Sequence, residues 1–109
     1  MKLPVKQRVL VGDTYWDLDR PVLDVHQIGT KIVVVFDYMS FPKGEQAKNL
    51  MAYDLDQNLL WIAEHPTTEA TDTYVEIVEE TPLKAWNFAC YFCEIDIETG
   101  RLLHAEFTK

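Results

Sequence analysis

Lys31-Ile32-Val33-Val34-Val35-Phe36-Asp37 is the stretch of sequence that decides the fold. Its apolar residues fall on both alternating positions, which is typical of a strand whose two faces are both covered. A strand of this kind lies in the middle of its sheet. We therefore expect it to be the central core strand of the protein.

Short β-rich runs with turn residues between them continue on both sides, and no window of eleven or more residues shows a helical stripe. Glycines in Ile28-Gly29-Thr30-Lys31 and Glu98-Thr99-Gly100-Arg101 allow tight hairpin turns, so consecutive strands should pair as an antiparallel meander. We predict an all-β fold of eight or nine strands in two sheets, arranged as a sandwich or a partial barrel, with little or no helix. The expected strands are residues 5–11, 22–28, 31–37, 49–54, 59–64, 74–79, 84–89, 91–97 and 102–107.

The chain has 109 residues and is 48% hydrophobic, so a single packed domain over residues 1–109 with one core is expected. No apolar run is long enough to cross a bilayer, and the first eight residues lack the apolar core of a secretion signal. We therefore expect a cytoplasmic protein.

Two connections, residues 39–48 and 65–73, are longer than hairpin turns, and loops of this length often carry function. Four large side chains lie in or near irregular segments: Tyr15, Trp16, Met39 and Phe41. We expect them to cap the core, because a small β domain needs large side chains to close its open ends. A recognition surface is the alternative.

The two cysteines, Cys90 and Cys93, are spaced as in redox motifs, but such a pair needs its first thiol at a helix N-terminus. Positions three apart on a strand point to opposite faces. A zinc site would need more ligands than the isolated His26, His65 and His104 provide. We predict two ordinary thiols, buried or half buried, and no metal site.

Asp54-Leu55-Asp56-Gln57-Asn58 begins like a calcium loop, but Leu59 stands where the loop needs glycine and His65 where it needs glutamate. A polar hairpin turn is the prediction. Ser40 has no G-x-S-x-G turn around it, and the four glycines are not spaced for a phosphate loop. We predict a protein that is not an enzyme and needs no cofactor; a carboxylate pair in a cleft is the catalytic alternative.

Residues 49–61 and 92–104 share a plan, in which a strand ends in aspartate, a polar turn follows, and the return strand opens with Leu-Leu. The two aspartates, Asp54 and Asp96, are 42 residues apart, within the period of a four-stranded propeller blade. The sequence therefore contains a weak internal repeat.

This repeat resembles the outer hairpin of quinoprotein-type β-propeller repeats. The resemblance is carried by Asp96, Thr99, Gly100 and Leu102, and by Trp61 in the first copy. It implies two blade-like units and no cofactor, since two units cannot close a propeller ring. The chain also resembles small uncharacterised bacterial all-β proteins with a similar hairpin, which implies no activity.

No Lys or Arg lies between Lys48 and Lys84, although eight acidic residues do. The net charge is −8, and residues 51–109 contain three Lys or Arg against twelve acidic residues. A surface that is merely solvated normally mixes both signs. A negative field repels nucleic acid and anionic lipid and attracts basic protein surfaces, so we expect neither nucleic acid nor membrane as a partner.

The leading hypothesis is a non-enzymatic acidic binding protein that docks a basic protein partner, as immunity-type inhibitors of nuclease toxins do. The expected binding residues are Glu64, Glu69, Asp72, Glu76, Glu79 and Glu80. The alternative hypothesis is a small β scaffold that forms a homodimer, or binds a ligand, through edge strands and exposed aromatic residues.

Overall fold

The computed structural model describes residues 8–108, which form ten strands and one short 3-10 turn, Tyr38–Ser40. The strands are β1 (Arg8–Val11), β2 (Thr14–Asp17), β3 (Val22–Ile28), β4 (Lys31–Phe36), β5 (Leu50–Tyr53), β6 (Leu59–Ile62), β7 (Tyr74–Glu79), β8 (Lys84–Asn87), β9 (Tyr91–Ile95) and β10 (Leu102–Phe107). Within the described residues, no helix is long and apolar enough to cross a membrane.

The strands form three antiparallel sheets, in each of which neighbours in the chain are neighbours in the sheet. β1 and β2 form the hairpin sheet, β3 to β6 form the first sheet, and β7 to β10 form the second sheet. The predicted all-β meander is confirmed, and all nine predicted strands are present. The first three residues of the strand predicted at 5–11 lie outside the described residues.

The tenth strand, β2, and with it the third sheet, was not expected, because four residues that begin after one aspartate and end in another carry too short an alternation to be recognised. Trp16 in β2 points inward and is buried, whereas its neighbour Tyr15 points outward and is 64% exposed. Trp16 therefore caps a core as expected, and the same prediction for Tyr15 is wrong.

Of the two expected capping residues in the loop after β4, one is packed against a core and the other is exposed. Phe41 packs against the core beneath the hairpin sheet, and the Arg20 guanidinium lies 3.9 Å from its ring centroid. Met39 is 74% exposed, so the prediction that it caps the core is wrong. Arg20 also donates a hydrogen bond from Nη1 to the Ser40 carbonyl at 2.8 Å, which ties this loop to the start of β3.

β4 separates two cores, so the prediction that both of its faces are covered is confirmed. Val33 and Val35 point into the inter-sheet core, which lies between the first and second sheets. Ile32, Val34 and Phe36 point into the hairpin core, which lies between the first sheet and the hairpin sheet. The expected single core is therefore two, because the hairpin sheet adds a third layer.

The inter-sheet core is closed at one end by a tryptophan that packs on a glycine. A Cβ atom at Gly100 would lie 2.7 Å from the Trp61 ring, so only glycine allows this approach. The indole Nε1 donates to the Ile97 carbonyl at 2.9 Å. The two hairpins with a shared sequence plan, β5–β6 and β9–β10, thus contact each other directly.

The turn from Asp54 to Asn58 has the predicted hairpin geometry. Asp54 Oδ1 accepts the backbone N–H groups of Asp56 and Asn58, each at 2.9 Å. Hydrogen bonds from Asn58 hold the pKa of Asp54 below its ordinary value. The carboxylate therefore stabilises the turn.

Candidate docking surface

Asp72 was expected on an acidic surface, but it is fully buried. One carboxylate oxygen accepts hydrogen bonds from the backbone N–H of Thr67 at 2.7 Å and from its hydroxyl at 2.6 Å. The other accepts from the Asn87 amide and from His65 Nδ1. Asp72 therefore organises the 65–73 loop from within and takes no part in a docking surface.

The Asp72 and His65 side chains shift each other's titration. Burial opposes ionisation of Asp72, but hydrogen bonds from Thr67, His65 and Asn87 outweigh it and hold the pKa of Asp72 below its ordinary value. Burial lowers the pKa of His65 and outweighs the hydrogen bond to Asp72. A neutral His65 ring then donates Nδ1–H to an ionised Asp72. Nε2 of His65 is buried without a hydrogen-bond partner in the part of the chain that the structure describes.

Glu80 directly follows β7 and contacts the first sheet. His26 of β3 lies between two carboxylates, with Nδ1 2.6 Å from Glu80 Oε2 and Nε2 3.3 Å from Asp24 Oδ1. Burial lowers the pKa of His26, but the hydrogen bond to Glu80 and the charge of Asp24 outweigh it, so the net shift is upward. Asp24 also accepts the backbone N–H of Ile77 at 2.9 Å. This group of residues, the β3–β7 clip, joins the two sheets.

Two of the remaining predicted residues lie on separate elements. Glu64 follows β6 and accepts the backbone N–H of Leu102 through Oε1 at 2.8 Å, at the start of β10. Glu69 is exposed in the 65–73 loop. The six predicted acids therefore do not form one continuous site.

The structure does bring two of them, Glu76 and Glu79, onto the outer face of the second sheet. Directly paired residues on antiparallel strands project from the same face. Two rows of paired residues cross the four strands on this side of the sheet, and together we call them the outer face. The first row is Glu76, Trp86, Phe92 and Glu106, and the second row is Glu79, Lys84, Glu94 and His104.

An aromatic pair occupies the middle of the outer face. The rings of Trp86 and Phe92 are 4.9 Å apart between centroids and tilted by 48°. Phe92 is 40% exposed, and neither ring belongs to the two core clusters of buried residues. The charged groups beside the pair are four glutamates and one lysine, and Lys84 Nζ lies 3.9 Å from Glu79 Oε1.

The sequence prediction missed the other six residues of this face: Lys84, Trp86, Phe92, Glu94, His104 and Glu106. The strand alternation carried the necessary signal. In β8 the buried residues are Ala85 and Asn87, which forces Trp86 outward. Trp86 thus stands at a strand position that alternates with buried residues and would ordinarily be polar. An aromatic residue at such a position is the sequence feature that indicates this surface.

The two cysteines are free thiols in different environments, as predicted. Cys93 is fully buried in the inter-sheet core, and burial raises its pKa to about 11. Cys90 is half buried in the turn between β8 and β9, with a positive φ of 72°. Within residues 8–108, no three His, Cys, Asp or Glu side chains are grouped so that they could hold a metal ion.

The fold and this surface define a class of protein: a small all-β protein of two packed four-stranded meanders, with an aromatic and acidic face exposed on one of them. The chain belongs to the family of the domain of unknown function DUF7957, whose family model matches residues 4–107. Neither the curated proteins nor the solved structures gave a match.

Proposed function

We propose that the protein is a non-enzymatic binding protein that docks a basic protein partner on the outer face of the second sheet. The observation that carries the proposal is the aromatic pair of the half-buried Trp86 and the exposed Phe92, at the centre of a row that ends in Glu76 and Glu106. Aromatic residues near the centre of a patch supply most of the binding energy at protein interfaces, and a charged rim supplies orientation.

The charges favour a basic partner over an acidic one or a nucleic acid. On the outer face, four glutamates stand against one lysine, Lys84, which itself lies near Glu79. The whole chain carries a net charge of −8. The resulting field speeds the approach of a cationic surface and repels phosphate. Inhibition of a toxin whose active site is a basic cleft is one function of this kind.

The proposal changes the predicted binding residues. It keeps Glu76 and Glu79, adds Trp86, Phe92, Glu94 and Glu106, and removes Asp72, which is buried. Glu64, Glu69 and Glu80 are outside the outer face. Their charge would contribute to long-range attraction and not to the interface itself.

The resemblance to propeller hairpins supports a scaffold role. Each four-stranded sheet is a meander whose last hairpin carries the shared sequence plan, and Trp61 of one hairpin packs on Gly100 of the other. On this view the protein is a pair of blade-like units that stabilise each other and leave one outer face available, in the cytoplasm.

Selection from a random peptide display library tests the docking proposal without a known partner. Wild-type protein should enrich peptides rich in Lys and Arg, and their affinity should fall as salt is raised. Trp86→Ala should weaken the selected peptides by about 30-fold, the effect of losing an interface hot spot of about 2 kcal/mol. Glu76→Gln, which keeps the aromatic pair, should weaken them less.

Tyr15→Ala is the matched control, because it removes an exposed aromatic ring from β2, outside the second sheet. It should leave the affinity of the selected peptides unchanged. Enrichment of neutral or acidic peptides, or equal binding to wild type and the Trp86→Ala variant, would contradict the docking proposal.

A second candidate function, self-association, is favoured by the edge strand β6. Leu59, Leu60 and Ile62 are 50%, 44% and 46% exposed, and an unpaired edge can pair with a second copy. Sedimentation at low and high salt tests this. A dimer that is insensitive to salt and is lost on Ile62→Lys would support it, whereas a monomer throughout would rule it out.

A further inference from the structure

A cleft of about 280 Å³ lies between the turn after β7 and the end of β9. Its apolar wall includes Ile28, Leu83, Ile95 and Ile97, of which Leu83 and Ile95 are buried members of the inter-sheet core. The cleft is at the lower limit of ligand pockets, which suits a single side chain better than a cofactor.

Three acidic residues, Glu80, Glu94 and Asp96, are among those that line the same cleft, and no Lys or Arg is among the lining residues. Three basic groups lie close in register or in contact with the lining: His26, which contacts Glu80; Lys84, which is paired with Glu94; and Lys31, which is paired with Ile28 and forms an ion pair with Glu98. Asp96 accepts the backbone N–H of Glu98 through Oδ1 at 2.9 Å. The cleft thus combines an apolar wall with an acidic rim.

We propose that this cleft binds the side chain of a lysine, with the aliphatic stem on the apolar wall and the ammonium group among the carboxylates. A lysine side chain has an apolar and a charged part to match the apolar wall and the acidic rim. Its aliphatic stem packs on apolar surface, and its charged end stays at the polar rim. The compact ammonium group donates in three directions and so suits several separate carboxylates, whereas the planar arginine fork suits one.

The position of the cleft connects it with the outer face. Glu94 belongs both to the second row of that face and to the wall of the cleft. A basic protein on the outer face would therefore present lysines at the mouth of the cleft. That the lysine belongs to a docked basic protein rests on the proposed docking function. The affinity of the cleft for an aliphatic ammonium does not depend on it.

Titration of the folded protein with n-pentylammonium, followed by the backbone amide NMR spectrum, tests the cleft directly. We expect saturable shifts at Leu83, Ile95 and Ile97. 1-Pentanol has the same stem without the charge, and pentanoate carries the opposite charge, so both should bind more weakly. Equal affinity for pentanol, or shifts centred elsewhere, would overturn the assignment.

Glu94→Gln should weaken n-pentylammonium about two- to fivefold, the effect of losing one exposed charge pair. Glu69→Gln removes the same charge from a loop residue that does not line the cleft, and should leave binding unchanged. An equal loss in both variants would show only a general effect of net charge and would contradict a local site.

The two proposals fail in different ways. Binding of n-pentylammonium in the cleft without any selection of basic peptides would leave the cleft as a site for small aliphatic cations and end the docking proposal. Basic peptides that bind the outer face, with no saturable shift at Leu83 and Ile95, would end the cleft proposal. In the selected peptides, replacing the anchoring lysine by norleucine should cost affinity in wild type and less in the Glu94→Gln variant.

Discussion

At the scale of single residues, contacts from distant parts of the chain decide what an acidic or small residue does. The sequence alone does not distinguish Asp72 from the exposed acidic residues around it. In the structure Asp72 is buried, and Asn87 and His65 contact its carboxylate by hydrogen bonds. Gly100 looked like an ordinary turn glycine, yet the Trp61 ring packs against its Cα. Both residues lead to predictions about stability.

Replacement of Gly100 by alanine should destabilise the protein by about 2–5 kcal/mol. Its φ of 78° costs an L side chain about 1–2 kcal/mol, and the added methyl would lie 2.7 Å from the Trp61 ring, an overpacking cost of about 1–3 kcal/mol. Gly29→Ala is the control, because φ is 62° there and no atom lies within 4 Å of the added Cβ. Equal losses in urea unfolding would contradict the packing of Trp61 on Gly100.

Replacement of Asp72 by alanine should cost at least about 3 kcal/mol of unfolding free energy, because several buried donors lose their acceptor together. Asp56→Ala, at an exposed turn position, should change stability by less than about 0.5 kcal/mol. The folded pKa of Asp72 is below its unfolded value, so its contribution is present above the unfolded pKa and is lost as the pH falls through the folded pKa. Chemical unfolding at neutral and acidic pH measures both effects.

At the scale of elements, short-range patterns predicted the strands well. Alternation located β9, and the turn residues located the hairpins around Gly29 and Gly100. The prediction failed for β2, where four residues gave too little alternation. The contact between the two four-stranded sheets could not be predicted from the sequence either, because the β3–β7 clip joins residues that are 54 positions apart in the chain.

The β3–β7 clip should make stability depend on pH near neutrality. The folded pKa of His26 is above its unfolded value, so its stabilising contribution is fully present below the unfolded pKa and is lost as the pH rises through the folded pKa. Asp24 and Glu80 are the charged groups that face the ring. The difference in unfolding free energy between wild type and His26→Gln should shrink as the pH is raised from about 6 to 8.

His104→Gln is the control for this measurement, because His104 is exposed on β10 and no ion pair with a carboxylate involves it among the described residues. Its difference from wild type should change less with pH than that of His26→Gln, because no ion pair of His104 within residues 8–108 is lost. A constant difference for His26→Gln would show that the clip does not hold a protonated histidine.

At the scale of the whole molecule, the protein has three layers of sheet and not the expected two. The order of the layers determines which sheet face is left uncovered. The hairpin sheet covers one face of the first sheet, and the second sheet covers the other. The outer face of the second sheet carries Trp86 and Phe92 outside both cores. The layer order therefore explains why neither ring of the aromatic pair is covered by another sheet.

Trp16→Ala should reduce stability by about 3–5 kcal/mol, because it removes the largest side chain with which the hairpin sheet covers the first sheet. Tyr15→Ala, one position away but 64% exposed, should change stability by less than about 0.5 kcal/mol. Urea unfolding of the two variants provides the comparison. Similar stabilities would mean that the hairpin sheet is not a layer of the core.

The sequence by itself determined the strands, the tight turns and the two-sided burial of β4, because alternation and turn conformation depend on residues close together in the chain. It also determined the overall acidity. Only the tertiary structure decided that Asp72 is buried, that Glu80 contacts His26, and that Trp86 and Phe92 meet on an open face. The physical reason is that the exposure of one side chain depends on which distant strands pack against it, and local sequence does not specify that packing.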